Sequence, residues 1–166
     1  MIPRSTQLST GTDESRRSLL RGGRSSVQNI LVPTKFSAAS TRAVEQAVAL
    51  ARLVGAKLTL LHVIDIYGHP AWSQHTGSGE AFVQQLHAQA NAQMERLWAS
   101  LAGEPIQVET LIVEGLPAEE VVRRSHDFDL VIMGRPRSQH FWKLFNKKTA
   151  QRTIEEAECG VLVVHA

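Results

Sequence analysis

The residues of this chain that could most readily bind a ligand lie in the stretch from Leu130 to Ile154, LVIMGRPRSQHFWKLFNKKTAQRTI. It begins as an apolar run, reaches Gly134, and then carries six basic residues and no acidic one. A glycine that follows a buried strand is typical of loops that bind phosphate through backbone N–H groups. Basic side chains bind anions directly, or they simply form a solvated surface. The stretch therefore predicts an anion site, a degenerate form of one, or a charged loop.

The elements around this stretch predict where its residues would lie. Five apolar runs that have the length of strands alternate with segments of helical spacing, which is the pattern of an α/β fold with an open, mostly parallel sheet and helices on both faces. In the first helical segment we expect Ser37 as the N-cap and Gly55 as the stop. The second runs from about Glu80 to Leu101, and its expected apolar stripe is Phe82, Leu86, Met94, Leu97, Trp98 and Leu101. Ligands of such sheets bind at the carboxyl ends of the strands. The candidate ligand-binding residues at those ends are Pro33, Thr34, Lys35, Val63, Gly134, Arg135, Arg137, Lys147, Lys148 and Thr149.

The charge of the chain is unevenly distributed. Residues 1–27 hold five arginines against two acids, which gives +3, and residues 28–166 hold 13 basic against 14 acidic groups, which gives −1. The first segment is rich in Ser and Thr and has no periodic apolar pattern, so we interpret residues 1–27 as a disordered polar tail and residues 28–166 as one domain. A domain with this balance is not a basic nucleic-acid binder.

The order of several short motifs resembles the universal stress protein family. These are ILVPTKFSAASTRAVEQAVALARLVGAKLTLLHVI, then GLPAEEVV, then DLVIMG, and finally ECGVLVV, and together they span roughly residues 29–165. The resemblance implies a five-stranded, Rossmann-like sheet with strand order 3-2-1-4-5. It also implies a cytoplasmic homodimer that acts in the stress response without established catalysis.

ATP-binding members of that family carry an aspartate after the first strand, in a pattern similar to V-D-x-S. After the fourth strand they carry G-x-x-G, nine residues, and then G-S or G-T. This chain has Lys35 in place of the aspartate and retains only Gly134 of the glycines; Arg137, Lys147 and Lys148 occupy the other positions. Side chains there would crowd a backbone cradle. We therefore expect ATP binding to be weak or lost, and we expect no cofactor.

Three interpretations of the basic loop stay open. The first is a solvated surface that has lost ATP binding, and the second is a site where basic side chains hold ATP or another phosphate-containing ligand. The third is contact with a nucleic acid or a partner protein through Phe141, Trp142 and the lysines, although burial of these aromatic residues is the more common outcome. A nucleic-acid partner is disfavoured, and a small anionic ligand is compatible with the pattern.

Neither catalysis nor membrane insertion finds support in the sequence. No Walker loop and no G-x-S-x-G elbow is present, His69 and His75 have no ligands at metal spacing, and His62 lies within an apolar strand as a core residue would. No apolar run approaches the length of a membrane span. We expect a protein that is not an enzyme.

The last apolar run predicts a dimer. Val161, Leu162, Val163 and Val164 end the chain, and the implied strand order puts them at a sheet edge. An apolar edge strand must be covered, and pairing with a second copy about a two-fold axis covers it. The alternative is a monomer whose edge is shielded by the N-terminal tail.

Overall fold

The computed structural model describes residues 27–66, 68–69, 79–136 and 147–166. The predicted tail therefore lies almost wholly outside the described residues, and so does the central part of the basic loop. None of the helices in the described ranges is long and apolar enough to cross a membrane.

Five strands alternate with four helices in the described residues. In chain order they are β1 (Asn29–Pro33), α1 (Ala38–Val54), β2 (Lys57–Ile64), α2 (Gly79–Ser100), β3 (Val108–Glu114), α3 (Pro117–Ser125), β4 (Leu130–Arg135), α4 (Lys147–Glu156) and β5 (Gly160–His165). The sequence predicted each of these elements.

All strand pairs in the sheet are parallel, and the strand order is β3-β2-β1-β4-β5. The predicted fold class is thus confirmed. The chain moves outward from β1 to β3 on one side and then returns to β4 on the other, so β1 and β4 are neighbours at the point where the direction reverses. In folds of this type, ligands bind in the crevice at that point.

The two faces of the sheet carry separate apolar cores, because alternate residues of a strand point to opposite faces. Ile30 and Val32 of β1 pack with α1 and with Met94 of α2 on one face. Leu31, the residue between them, packs with Val121 of α3 on the other. Strands covered on both sides read as continuous apolar runs, which is how β1 reads in the sequence.

Helix α1 has defined caps at both ends. Ser37 is the N-cap, as predicted: its side chain accepts a hydrogen bond from the Ser40 N–H, and the Ser40 side chain accepts one from the Ser37 N–H. Such a reciprocal box satisfies two backbone donors that the helix itself leaves without partners. At the other end Gly55 adopts a left-handed conformation with φ 72°, as the predicted stop.

Helix α2 matches its predicted range but not the whole of its predicted apolar stripe. Phe82, Leu86 and Met94 are buried, whereas Trp98 is 52% exposed. The expectation that Trp98 faces the core is wrong. The residue lies in the last turn of α2, where its neighbours Leu97 and Leu101 pack partly against the first core. The core thus reaches this end of the helix, and Trp98 lies outside the part of the helix surface that it covers.

The start of β1 is fixed to β4 by a single carboxylate. Asp129 accepts hydrogen bonds from the N–H groups of Gln28 and Asn29, each at 2.8 Å. These bonds hold the pKa of Asp129 below its ordinary value. The chain therefore enters the sheet in a set register at the two strands that flank the crevice.

Candidate functional site

Thr34 organises the backbone where β1 ends. Its N–H donates to the Leu61 carbonyl at 2.8 Å, its Oγ1 accepts from the Phe36 N–H at 3.1 Å, and its carbonyl lies 2.9 Å from His62 Nδ1. The residue is buried, so each of these groups needs a partner. The contact with a carbonyl identifies Nδ1 as the protonated nitrogen of a neutral His62 ring and leaves Nε2 as an acceptor.

Phe36 turns the chain sharply between β1 and α1. Its φ is 59°, the one left-handed value among the described residues other than glycine. This conformation costs a bulky residue about 1–2 kcal/mol. The ring of Phe36 lies against that of His62, with 4.6 Å between centroids and an angle of 36°. Ring contact with β2 and the bond to Thr34 therefore hold a turn that glycine usually makes.

A cleft of about 320 Å³ opens beside this turn, between the end of β2 and helix α2. Its volume is at the lower end of the range for small-molecule sites. One wall is aliphatic and neutral, and the other combines aromatic rings with charged groups. The lining residues are Lys35, Phe36, His62, Val63, Ile64, Asp65, Gly68, His69, Leu86, Gln89, Ala90 and Gln93.

Desolvation shifts two of the groups in this cleft. Although Lys35 as a residue is exposed, partial removal of its ammonium from water lowers the pKa of Lys35 to about 8. Burial also lowers the pKa of His62, and the hydrogen bond to the Thr34 carbonyl offsets only part of that effect. The cleft therefore favours a neutral imidazole and carries an amine that loses its proton more readily than an ordinary lysine does.

Gly134 lies at the end of β4 against the first turn of α1. A Cβ added to Gly134 would overlap the backbone carbonyl of Ala39 and lie 2.9 Å from Ser40 N. Backbone atoms cannot rotate away as a flexible side chain can. The glycine is thus required by the close approach of a helix to a strand, whether or not a phosphate binds there.

The structure brings only part of the predicted ligand-binding set together. Lys35 and Val63 line the cleft, and Pro33 and Thr34 form the strand end beneath it. Three other predicted residues lie within the described ranges but are not among those that line the cleft. Gly134 and Arg135 end β4 beside β1, and Thr149 lies in the first turn of α4.

The remaining predicted residues are not tested. Arg137 lies outside the described residues, and so do the side chains of Lys147 and Lys148, whose backbone opens α4. The same holds for Phe141 and Trp142. Whether these groups approach Lys35 and Arg135 stays a prediction.

His62 and Phe36 were not among the predicted site residues. His62 was interpreted as a satisfied core histidine, and its hydrogen bond confirms the satisfied part, but its ring also lines the cleft. The available signal was a polar residue three positions from the end of an apolar strand, at the carboxyl end of the sheet. For Phe36 the sequence held no signal, because no sequence motif indicates that a phenylalanine will adopt the left-handed backbone conformation.

A larger cavity of about 570 Å³ lies at the opposite ends of the strands, and its lining includes Asn29, Gly55, Lys57 and Pro105. It adjoins the amino ends of the strands, where open α/β sheets do not bind their ligands. The smaller cleft is for that reason the candidate site. Within the described ranges, no group of three or more His, Cys, Asp or Glu side chains could hold a metal ion.

Strand β5 forms one edge of the sheet, as predicted from the strand order. Leu162 is 42% exposed there, while Val161 and Val164 pack partly against the two cores. The predicted apolar edge thus exists, although Val161 and Val164 also contribute to the sheet's own cores.

Fold and site together define an open α/β protein of the Rossmann-like class whose candidate cleft lies at the carboxyl ends of the first two strands. The model of the universal stress protein family matches residues 26–165, so this chain belongs to the universal stress protein family.

Individual relatives agree with this assignment. The universal stress protein MJ0531 of Methanocaldococcus jannaschii is 27% identical over 152 residues, which cover 89% of this chain and 87% of that protein. Among solved structures, the universal stress protein UspA from Lactobacillus plantarum has a TM-score of 0.67 and 26% identity, covering 83% of this chain and 97% of its own. The structure of MJ0577, also with a TM-score of 0.67 and 26% identity, covers 84% and 96%.

Proposed function

We propose that this chain is a non-catalytic binding module of the universal stress protein family in which Mg-ATP binds weakly or not at all. The observation that carries the proposal is the position of Lys35. It follows β1 where ATP-binding members have an aspartate, and its side chain lines the cleft between β1, β2 and α2. A lysine there offers no acceptor for ribose or metal-bound water, because an ammonium only donates hydrogen bonds.

Gly134 supports the same proposal. Its requirement for packing against Ala39 accounts for the glycine without any phosphate. The retained glycine therefore does not argue that nucleotide binding has been kept. As in other family members, we propose that the protein works in the cytoplasm.

Calorimetric titration of the full chain with Mg-ATP tests this function. We expect no saturable heat for the unmodified protein, and stoichiometric heat with micromolar affinity would refute the proposal. Lys35→Asp, which restores the acid of the family pattern, should bind more tightly than the unmodified protein if this residue is the main obstacle. Lys57→Asp is the matched control, since Lys57 lies at the other end of the sheet, paired with Glu109.

A second candidate is a phosphate-containing ligand held by basic side chains. The register of β1 and β4 pairs Leu31 with Val131, and continued along both strands it brings Lys35 and Arg135 to the same edge of the sheet. Two cations at neighbouring strand ends can hold one anion through charge-assisted hydrogen bonds. Two solved structures of similar fold are complexes with cAMP, at 22% identity, and with AMP, at 16% identity.

Titration with pyrophosphate, AMP and cAMP distinguishes this candidate from the first. Binding that is lost in both Lys35→Gln and Arg135→Gln, but kept in Arg52→Gln at the far end of α1, supports an anion site at the strand ends. Equal binding by all three variants contradicts it. Affinity should also fall as salt is added, because screening weakens exposed charge pairs.

We further propose that the protein is a homodimer through β5. The support is the edge position of β5 and the exposure of Leu162, because an apolar edge strand left open invites association. Native mass spectrometry should show twice the 18.3 kDa chain mass, and Leu162→Lys should shift it to the monomer. A monomer in the unmodified protein that dimerises once residues 1–26 are removed would instead support shielding of the edge by the tail.

A further inference from the structure

The last turns of α1 and α2 leave two large apolar side chains in water, at the amino ends of the strands. Leu53 of α1 is 84% exposed, the highest value for a large apolar residue in the described ranges, and Trp98 of α2 is 52% exposed. An ion pair between Arg52 and Glu104 joins the end of α1 to the loop after α2. Exposed apolar groups on two joined helix ends indicate a contact surface, and we refer to Leu53 and Trp98 as the helix-end surface.

The cavity of about 570 Å³ adjoins this surface, because residues 51, 52, 54 and 55 at the end of α1 line it. Its lining also contains Ala56, which is buried, and Ile106, which packs against the first core. These aliphatic groups lie beside the polar side chains of Arg52 and Lys57. Such a mixed lining suits a segment of polypeptide, which brings apolar side chains together with backbone groups that need hydrogen bonds.

The chain enters the domain beside this cavity. Gln28 is one of the lining residues, and Val27 packs against the first core, on the side of the sheet that α1 covers. Asp129 binds the N–H groups of Gln28 and Asn29, which fixes the path of the chain at this point. Residues 1–26 are therefore attached next to the helix-end surface.

We propose that Leu19 and Leu20 pack on the helix-end surface and into the adjoining cavity, so that the N-terminal segment of this chain covers it. Apart from Met1 and Ile2, these leucines are the only adjacent pair of large apolar residues in residues 1–26. Burial of the pair together with Leu53 and Trp98 removes apolar area from water on both sides of the contact.

The connection between Leu20 and Val27 has the length and composition that this contact requires. Seven steps of chain reach at most about 25 Å, which is enough to cross the end of a helix about 10–12 Å wide. Gly22 and Gly23 lie in the connection and allow it to turn sharply. Covalent attachment also gives the leucines an effective concentration on the order of millimolar, so that even a weak contact forms.

Disulfide trapping on the full chain tests the proposal. Cys159→Ser removes the one cysteine of the chain, and Leu20→Cys is then combined with a second cysteine at position 53, 127 or 162. Under a mild oxidant we expect Leu20→Cys to form a disulfide within one chain at least about tenfold faster with Leu53→Cys than with either other partner, because docking raises the local concentration.

The two other positions are matched controls. Asp127 is exposed and lies just after α3, so it is close to the start of β1 but on the face of the sheet that carries the second core. A segment with no preferred contact would reach it as readily as Leu53. Leu162 reports whether the segment covers the edge at β5 instead.

The fluorescence of Trp98 gives a second measurement on the full chain. Trp72→Phe and Trp142→Phe leave Trp98 as the single tryptophan. Replacing both Leu19 and Leu20 by serine should then raise the quenching of Trp98 by acrylamide at least about twofold, because the indole loses its cover. Leu8→Ser, a change of the same kind earlier in the segment, should leave the quenching unchanged.

Four outcomes would overturn the inference. These are equal disulfide rates at positions 53 and 127, a faster rate at position 162, disulfides that form only between chains, and quenching that does not respond to the Leu19 and Leu20 replacements. The third outcome would mean that a second copy covers the surface. None of these measurements uses a ligand, so they are judged separately from the titrations with Mg-ATP.

Discussion

Replacing Gly134 by alanine tests whether the close approach of α1 to β4 is a structural requirement of the fold. The added methyl group would overlap the Ala39 carbonyl and lie 2.9 Å from Ser40 N. Relief requires the first turn of α1 to move, together with the capping box of Ser37. Overpacking a well-packed site costs typically about 1–3 kcal/mol. Because rigid backbone opposes this methyl group, we expect the upper end, about 3 kcal/mol.

Such a loss is a large part of the 5–15 kcal/mol that is typical of a domain. For a domain of this size it corresponds to a fall in Tm of roughly 6–12 °C. Urea unfolding followed by far-UV circular dichroism measures it, and an unchanged m-value would show that the comparison is between equally compact states.

Gly160→Ala is the matched control. A Cβ at Gly160 would meet Leu130 Cδ1 at 3.4 Å and the Asp129 carbonyl at 3.7 Å, which are ordinary contacts. We expect a change within about 0.5 kcal/mol. Gly55→Ala is a second control: nothing lies within 4 Å, and only the left-handed φ of 72° costs energy, about 1 kcal/mol.

The reasoning about Gly134 is refuted if its alanine variant unfolds at the same urea concentration as Gly160→Ala. A glycine that served only to admit a phosphate would show that result, because the ligand-free protein would tolerate the methyl group. A large loss of stability in the absence of any ligand would support packing as the reason for the residue.

Two further predictions concern the response of stability to pH. The folded state lowers the pKa of His62 below 6.5, so as pH falls through 6.5 the unfolded chain binds a proton that the folded chain resists, and stability declines. His62→Gln should remove this decline from urea midpoints measured between pH 7 and 5, and an identical decline in the variant would contradict the assignment. The folded state also lowers the pKa of Asp129, so its contribution is complete above 3.8 and is lost as pH falls through the folded value. Asp129→Asn should therefore lower the urea midpoint at pH 7 and converge with the unmodified protein in acid; the same offset at every pH would argue against it.

The fold could be predicted from the sequence because the residues that end each helix and the apolar runs that form the strands indicate the same arrangement of elements. Ser37 and Gly55 mark the ends of α1, and the strands buried on both faces read as continuous apolar runs. Trp98 was misassigned because helical spacing does not show how wide the buried part of the helix surface is: Leu97 and Leu101 pack against the first core, and Trp98 beside them does not.

The candidate site was predictable in outline but not in its details. Lys35 and Val63 were found because Lys35 follows β1 and Val63 is near the carboxyl end of β2, and the carboxyl ends of parallel strands meet at one end of the sheet. The role of Gly134 was not predictable, since a sequence does not show that a helix start approaches a strand this closely. The contribution of α2 to the cleft, through residues such as Gln89, depends on packing between elements far apart in the chain.

The bend at Phe36 has a consequence for whatever occupies the neighbouring space. Because residue 36 has a side chain, the unusual φ of 59° is offset by contacts of its ring with His62 and not by the freedom of a glycine. A guest molecule that took the place of the ring against the imidazole would remove that compensation, and the peptide would relax toward an ordinary backbone conformation. Binding at this position would then be coupled to the backbone conformation of Phe36 and of Lys35, the residue before it, which also lines the cleft.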